Sequence, residues 1–300
     1  MSSWLERKKT DIQETGPVGV KRAINDLWTY FLSEGVAPFA PNGKHIFDEE
    51  WDLLIILDAC RYDLMEDVED DYEFIGSLEK VWSVASSSVG WMTETFDNAH
   101  QDKISKTSII TANPYSDELI NPNDVFYLDE VWTYGWDDDM STTPADAVTD
   151  RTIEFLRGNN SKYTISHYMQ PHASFVNYPD IKPENTTTES VWKSVLYGEN
   201  SKSEIWEAYQ DNLHYVLESI QVLLENVDAE KVVITADHGN ALGEWWTYGH
   251  DGYVPIDAQR AVPWIQTHAE DKNTHTPETR HSSSTEPEVN DRLRQLGYVE

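Results

Sequence analysis

Two stretches constrain the fold of this 300-residue chain more than any others: Asp52-Leu-Leu-Ile-Ile-Leu-Asp58 and Lys231-Val-Val-Ile-Thr-Ala-Asp237. Each is an unbroken apolar run, rich in β-branched residues, that ends in an acid. A strand with one wet face alternates apolar and polar side chains, whereas a strand buried on both faces does not. Both runs therefore read as central strands of a parallel sheet. Lys162-Tyr-Thr-Ile-Ser-His-Tyr-Met169 and Ser108-Ile-Ile-Thr-Ala112 read as further strands, and 74–84 as extended or mixed. Helical patterns lie between and around them. One covers 18–32, with Ala23, Leu27, Tyr30 and Phe31 on one side, and another covers 59–70. A third begins at Thr142-Thr-Pro144 and stops at Gly158. The longest spans 203–226, with Ile205, Tyr209, Leu213, Val216, Leu217, Ile220 and Leu224 on its buried face.

Strands alternating with helices predict an α/β fold with a mostly parallel central sheet flanked by helices. The expected organisation is an N-terminal helical extension (1–48), an α/β domain (49–266) and a mobile tail (267–300) with a short terminal helix. The polar stretch 176–200 reads as a loop or lid. Ligands of such sheets sit beyond the carboxyl ends of the strands. Three of the proposed strands deliver candidate ligands there: Asp58, His172, and the adjacent pair Asp237-His238. Carboxylate oxygen and imidazole nitrogen together suit zinc or manganese, and Gly239 lets the backbone pass close by.

Composition narrows the chemistry. The chain has 54 Asp+Glu against 22 Lys+Arg, a net charge of −32. That excludes general nucleic-acid binding, which needs a basic footprint, and it opposes docking on anionic lipid. The acids are spread along the whole length and Lys is sparse, as in a halophilic protein of a high-salt cytosol, where salt screens self-repulsion. A single cysteine, Cys60, leaves no intramolecular disulfide and no cysteine-based zinc cluster. No apolar run approaches the ~20 residues that span a bilayer. No apolar segment follows the N-terminal charges, so no signal peptide is expected.

The string Thr235-Ala-Asp-His-Gly-Asn-Ala-Leu-Gly-Glu244, together with Ile56-Leu-Asp-Ala-Cys-Arg-Tyr-Asp63, resembles the alkaline phosphatase superfamily, and more narrowly its sulfatase-like archaeal, haloarchaeal hydrolases. The resemblance runs in motif order over about 50–265. It implies a divalent metal (Zn, Mn or Ca) held by Asp58, Asp237 and His238, with a nucleophile at a helix N-terminus. The position for that nucleophile falls in Ala85-Ser-Ser-Ser-Val-Gly-Trp-Met92. Ser87 is favoured as nucleophile and metal contact, then Ser88, then Ser86. A helix N-terminus there offers free N–H groups to an anionic ester. Cys60 lacks the Cys-x-Pro-x-Arg context of formylglycine sulfatases and reads as a packing residue. This favours a phosphoester or phosphonoester route. The resemblance makes His172 and His250 substrate-contact or leaving-group residues, with Arg61 binding the ester's anionic oxygens. Tyr168 stands where two-metal relatives carry an Asp. One metal is therefore expected, and a second, held by Asp251 or Gln170, is less favoured.

Two function classes follow. One is a metal-dependent hydrolase or transferase of phosphate or sulfate esters, sugar-linked or not, using a serine nucleophile. The other is a non-catalytic relative that binds a glycan or a protein. Trp91, Trp132, Trp136, Trp245 and Trp246 would either line a sugar surface or fill the core. The acidity carries its own prediction. Melting temperature should rise steadily as KCl is raised from about 0.1 M, where the Debye length is about 10 Å, to molar levels. A melting temperature indifferent to KCl would contradict the halophilic reading.

Overall fold

The computed structural model describes residues 9, 12–13, 15–186, 190–250, 253–278 and 289–298. Its centre is β1, Leu53–Asp58, in which every residue is buried. Leu53, Ile55 and Leu57 pack into one core cluster and Leu54 and Ile56 into the other. Both faces of the strand are covered, and this is why its sequence does not alternate.

The sheet has seven strands: β1, β2 (Leu78–Trp82), β3 (Thr107–Thr111), β4 (Tyr127–Glu130), β5 (Tyr163–Pro171), β6 (Ala229–Ala236) and β9 (Ala261–Ala269). Their order is β2-β9-β6-β1-β5-β3-β4. β1 runs parallel to both β5 and β6, and β3 is parallel to β4 and β5. Only β9 opposes the rest, pairing antiparallel with β6 and β2. A separate two-stranded ribbon joins β7, Ala241–Leu242, to β8, Tyr248–Gly249. The mostly parallel α/β architecture expected from sequence is therefore present.

One face of the sheet is covered by the helices Ala145–Gly158 and Lys202–Leu224. The second begins in a capping box, with Ser201 and Glu204 each satisfying the other's backbone N–H. All seven positions expected on its inner face are buried. The helix Ala145–Gly158 starts one step later than the Thr-Pro signal suggests, with Pro144 itself at the cap. On the other face Ile46, Phe47, Trp51, Trp91 and Met92 pack under β1 and β3. Ile46 and Phe47 thus belong to the core of the α/β unit, not to an extension ending at 48.

Three further expectations change. The helix Pro17–Phe31 buries Ala23, but Leu27, Tyr30 and Phe31 face outward. Its orientation is set by side-chain bonds, because Asn25 Nδ2 donates to Trp246 O at 2.7 Å and Trp28 Nε1 to Trp245 O at 2.6 Å. The stretch 176–200 contains a helix, Val191–Tyr197, whose Val191, Trp192 and Leu196 are buried. The C-terminal stretch is tied in at both described ends. Thr274 and His275 donate their N–H groups to Asn226, and Leu293 and Leu296 are buried. No helix among the described residues is long and apolar enough to cross a membrane. Since Ile55 is sealed on every side, Ile55→Ala should cost about 2–5 kcal/mol in urea unfolding. A loss below about 1 kcal/mol would show that β1 is not central.

Candidate metal and nucleophile site

Four adjacent parallel strands, β6-β1-β5-β3, end on one rim. β1 ends at Asp58 and β6 passes into Asp237 and His238. His172 follows β5, and Asn113 lies just past β3. The strand order thus gathers residues up to about 180 positions apart. Asp58, Asp237 and His238 are fully buried, and one ligand atom from each lies within 4.8 Å of the others.

The two carboxylates are oriented before any ligand arrives. Asp237 Oδ1 accepts the N–H of Ala59 at 2.9 Å and of His238 at 2.8 Å. Ala59 can donate because it adopts φ 61°, a left-handed turn directly after β1. Asp58 Oδ2 accepts from Asn113 Nδ2 at 2.8 Å, while Asp58 Oδ1 has no hydrogen-bond partner. Burial, then the facing Asp237, pushes the Asp58 carboxyl well above its ordinary range. Among the described residues no lysine or arginine pairs with these two acids, and the basic side chains nearest them are the imidazoles of His167 and His238, at 3.5–4.0 Å. Gly239 is required here, since a Cβ would come within 2.6 Å of Ala258 O.

The imidazoles are held in one tautomer. His172 Nδ1 donates to Ala173 O at 2.6 Å and His238 Nδ1 to Gly239 O at 3.0 Å. His250 Nδ1 donates to Asn240 Oδ1 at 2.6 Å. The Nε2 of His172 is buried without a partner. His238 Nε2 lies 3.2 Å from Ser88 Oγ. Burial lowers His172 to about 4, and the His250 pKa also falls well below its usual value. Oriented imidazoles and an unsatisfied carboxylate oxygen fit a divalent cation, which Asp58, Asp237 and His238 would hold.

The serines divide their work, and the second of them in the expected order, not the favoured Ser87, faces the acids. Ser87 is the N-cap of the helix Ser88–Thr95, and its Oγ accepts from Gly90 N at 3.3 Å. Ser86 Oγ accepts from Val254 N at 3.1 Å. Ser88 is the serine at the acids: its Oγ lies 2.8 Å from Asp237 Oδ2 and 3.3 Å from Asp58 Oδ2. The first residue of the helix points inward because the cap residue must turn its side chain back to the helix N–H groups.

Arg61 does not reach the centre. Its guanidinium grips Asp63 at 2.8 and 2.6 Å, Glu244 at 3.2 Å and Asn240 O at 3.0 Å. Arg61 and Asp63 thus brace the loop that carries Asn240 and Glu244 rather than bind an ester. Gln170 Nε2 donates to Thr142 and Thr143 while its Oε1 is buried without a partner, and Asp251 lies outside the described residues. Cys60 is buried in the core with its thiol pKa raised by burial, so it is no nucleophile. Trp91 and Trp132 are core residues, whereas Trp245 is exposed.

Three residues join the site without having been singled out from the sequence. His167, inside β5, is buried with Nε2 unpartnered and 4.0 Å from Asp58. Asn113 is a donor to Asp58, and Tyr298 Oη lies 2.7 Å from Asp58 Oδ2. Only His167 carried a signal, an imidazole inside a run that reads as a strand. A second cluster, His45, Asp48 and His100, lies near the surface. Its imidazoles stack at 4.0 Å, and His45 spends its nitrogens on Phe47 N and Glu94 O. It is a stacked ion-pair cluster.

The Arg61 brace has a pH signature. Burial alone would raise the Glu244 carboxyl, but the Arg61 charge and a hydrogen bond from Lys202 hold it down at about 2. A depressed acid stabilises the fold above its unfolded value of 4.5, and that stability is lost as pH falls through about 2. Glu244→Gln should therefore cost about 1–2 kcal/mol at neutral pH, after allowance for solvent screening, and little at pH 2. Urea melts across pH would check this. An equal loss at both pH values would contradict it.

A family model described as Sulfatase matches residues 86–295. No curated protein matches by sequence. The soluble domain of lipooligosaccharide phosphoethanolamine transferase A from Neisseria meningitidis superposes with a TM-score of 0.50 at 13% identity, covering 78% of this chain and 81% of that one. The integral membrane form of that transferase gives 0.52 at 12% identity, covering 91% of this chain and 59% of its own. The 2-O GAG sulfatase BT1596 gives 0.51 at 12%, covering 78% and 66%. These likenesses share the fold, and the family model spans more than half of the sequence. The chain belongs to the sulfatase family, within the alkaline phosphatase superfamily.

Proposed function

We propose that this protein is a metal-dependent hydrolase or transferase of phosphate or sulfate esters in which Ser88 is the nucleophile. The observation that carries this is the position of Ser88 Oγ, at 2.8 Å from Asp237, 3.2 Å from His238 and 3.3 Å from Asp58, on the first turn of a helix. A divalent cation bound by Asp58, Asp237 and His238 would acidify the serine hydroxyl and polarise the ester.

Protons move between Ser88, water and the imidazoles. Ser88 releases its proton to water as Oγ attacks phosphorus or sulfur. The new Oγ bond forms, the bond to the leaving oxygen breaks, and that oxygen leaves with a proton from water. Free N–H groups at the start of the helix favour the anionic seryl ester. His172 and His250, each with Nδ1 hydrogen-bonded away from the centre, are the remaining imidazoles of the site. One of them takes the proton of an incoming water or acceptor alcohol as its oxygen bonds to phosphorus or sulfur, the bond to Ser88 Oγ breaks, and Oγ recovers that proton.

The named neighbours act on a lipooligosaccharide and a GAG sulfate, which supports a sugar-linked anionic ester here. The evenly spread acidity supports a halophilic, cytosolic setting. Chromogenic phosphate, phosphodiester and sulfate esters, assayed with Zn, Mn or Ca in molar KCl, test the reading. Ser88→Ala should lower kcat about a thousandfold or more. Ser87→Ala should keep turnover within a few-fold while losing about 1 kcal/mol of helix capping. Loss of activity in Ser87→Ala with Ser88→Ala unaffected would overturn the assignment.

A further inference from the structure

The groups that must meet an ester are closed off. Ser88 and His172 are each 1% exposed, and Asp58, Asp237 and His238 are 0% exposed. No ester can reach a nucleophile buried to that degree, so something above it has to move. The group above it is Tyr298, at the end of the described chain. Its Oη donates to Asp58 Oδ2 at 2.7 Å and lies 3.4 Å from Ser88 Oγ. Its ring stacks on His172 with centroids 4.7 Å apart and planes 14° apart, and meets the edge of His250 at 5.3 Å. Tyr298 therefore touches the nucleophile, one of the acids and both candidate bases together. A phenol, with a polar oxygen at the acids and a ring over the imidazoles, has the shape and polarity of an ester's oxygen and organic group.

The element that carries Tyr298 has few anchors. In the helix Val289–Gln295 only Leu293 is buried, and Leu296 follows it into the core. Arg292 pairs with Asp138 at 2.7 Å and lies over the Trp136 ring at 4.4 Å. By contrast, Asp237, His172 and His238 beneath it are tied to backbone groups at the strand ends, Asp58 to Asn113 and His250 to Asn240. The rigid partner is the site and the separable one is the segment.

We propose that Val289–Tyr298 is an intramolecular inhibitor that occupies the ester position through Tyr298 and must withdraw before substrate binds. The proposal rests on the site assigned under the proposed function, and it predicts effects on binding as well as on turnover. Two variants of the 300-residue chain test it: truncation after Glu288, and Tyr298→Ala. Orthovanadate binding to the Mn-loaded protein, followed by calorimetry, needs no turnover. Both variants should bind vanadate at least tenfold more tightly than the intact chain, and kcat/KM for a small aryl ester should rise by a similar factor. A synthetic peptide of residues 286–300 should inhibit the truncated form competitively, and the same peptide carrying Tyr298→Ala should not. If truncation unfolds the protein, Tyr298→Ala alone decides. Unchanged or weakened vanadate binding in a folded variant overturns the proposal. Tighter vanadate binding without turnover of any ester would uphold the inhibitor and remove the enzymatic reading. Turnover by the intact chain at the rate of both variants would do the reverse.

Discussion

Everything at this site follows from two carboxylates, Asp58 and Asp237, buried together without a lysine or arginine to neutralise them among the described residues. Removing an ionised carboxylate from water costs several kcal/mol even after relaxation, and a like charge nearby adds to it. Backbone N–H groups and Asn113 offset part of that cost, yet Asp58 Oδ1 is left with no partner at all. A protein keeps such an arrangement when a cation completes it. The same demand explains the tautomers of the surrounding imidazoles, whose Nδ1 protons are all held away from the centre.

The sheet makes this arrangement possible. A parallel strand can be flanked on both sides by strands pointing the same way, so the carboxyl ends of β6, β1, β5 and β3 lie side by side. Sealing both faces of those strands gives the rigid frame that holds two repelling acids in place. The Arg61 network with Asp63 and Glu244 then fixes the loop after Asp237, and the capped helix at Ser87 directs Ser88 toward the acids. The sulfatase-family membership and the site geometry point the same way, toward anionic esters.

The strand ends were legible in the sequence because strands buried on both faces are apolar throughout, and an acid closing such a run stands out. Asp58, Asp237, His238 and His172 were found on that signal. β9 was not, because Pro263 and Gln266 break its apolar pattern and it pairs antiparallel at the side of the sheet. β4 is only four residues long and half-polar. The choice among three consecutive serines depends on which one caps the helix, a difference of one residue that local propensity does not resolve. Arg61 looked like an anion ligand because its charge is visible in sequence, while its partner Glu244 is 183 positions away. Tyr298 had no signal at all. Its place at the site comes from tertiary packing of a polar C-terminal stretch.

The most direct test is elemental analysis of the intact chain, purified in high salt, together with Mn or Zn titration of the chelator-treated protein. The account predicts one divalent ion per chain, a melting temperature that rises with metal concentration, and loss of both in Asp58→Asn and Asp237→Asn. A folded chain that binds no divalent ion at millimolar concentration, with melting indifferent to metal and chelator, would contradict it.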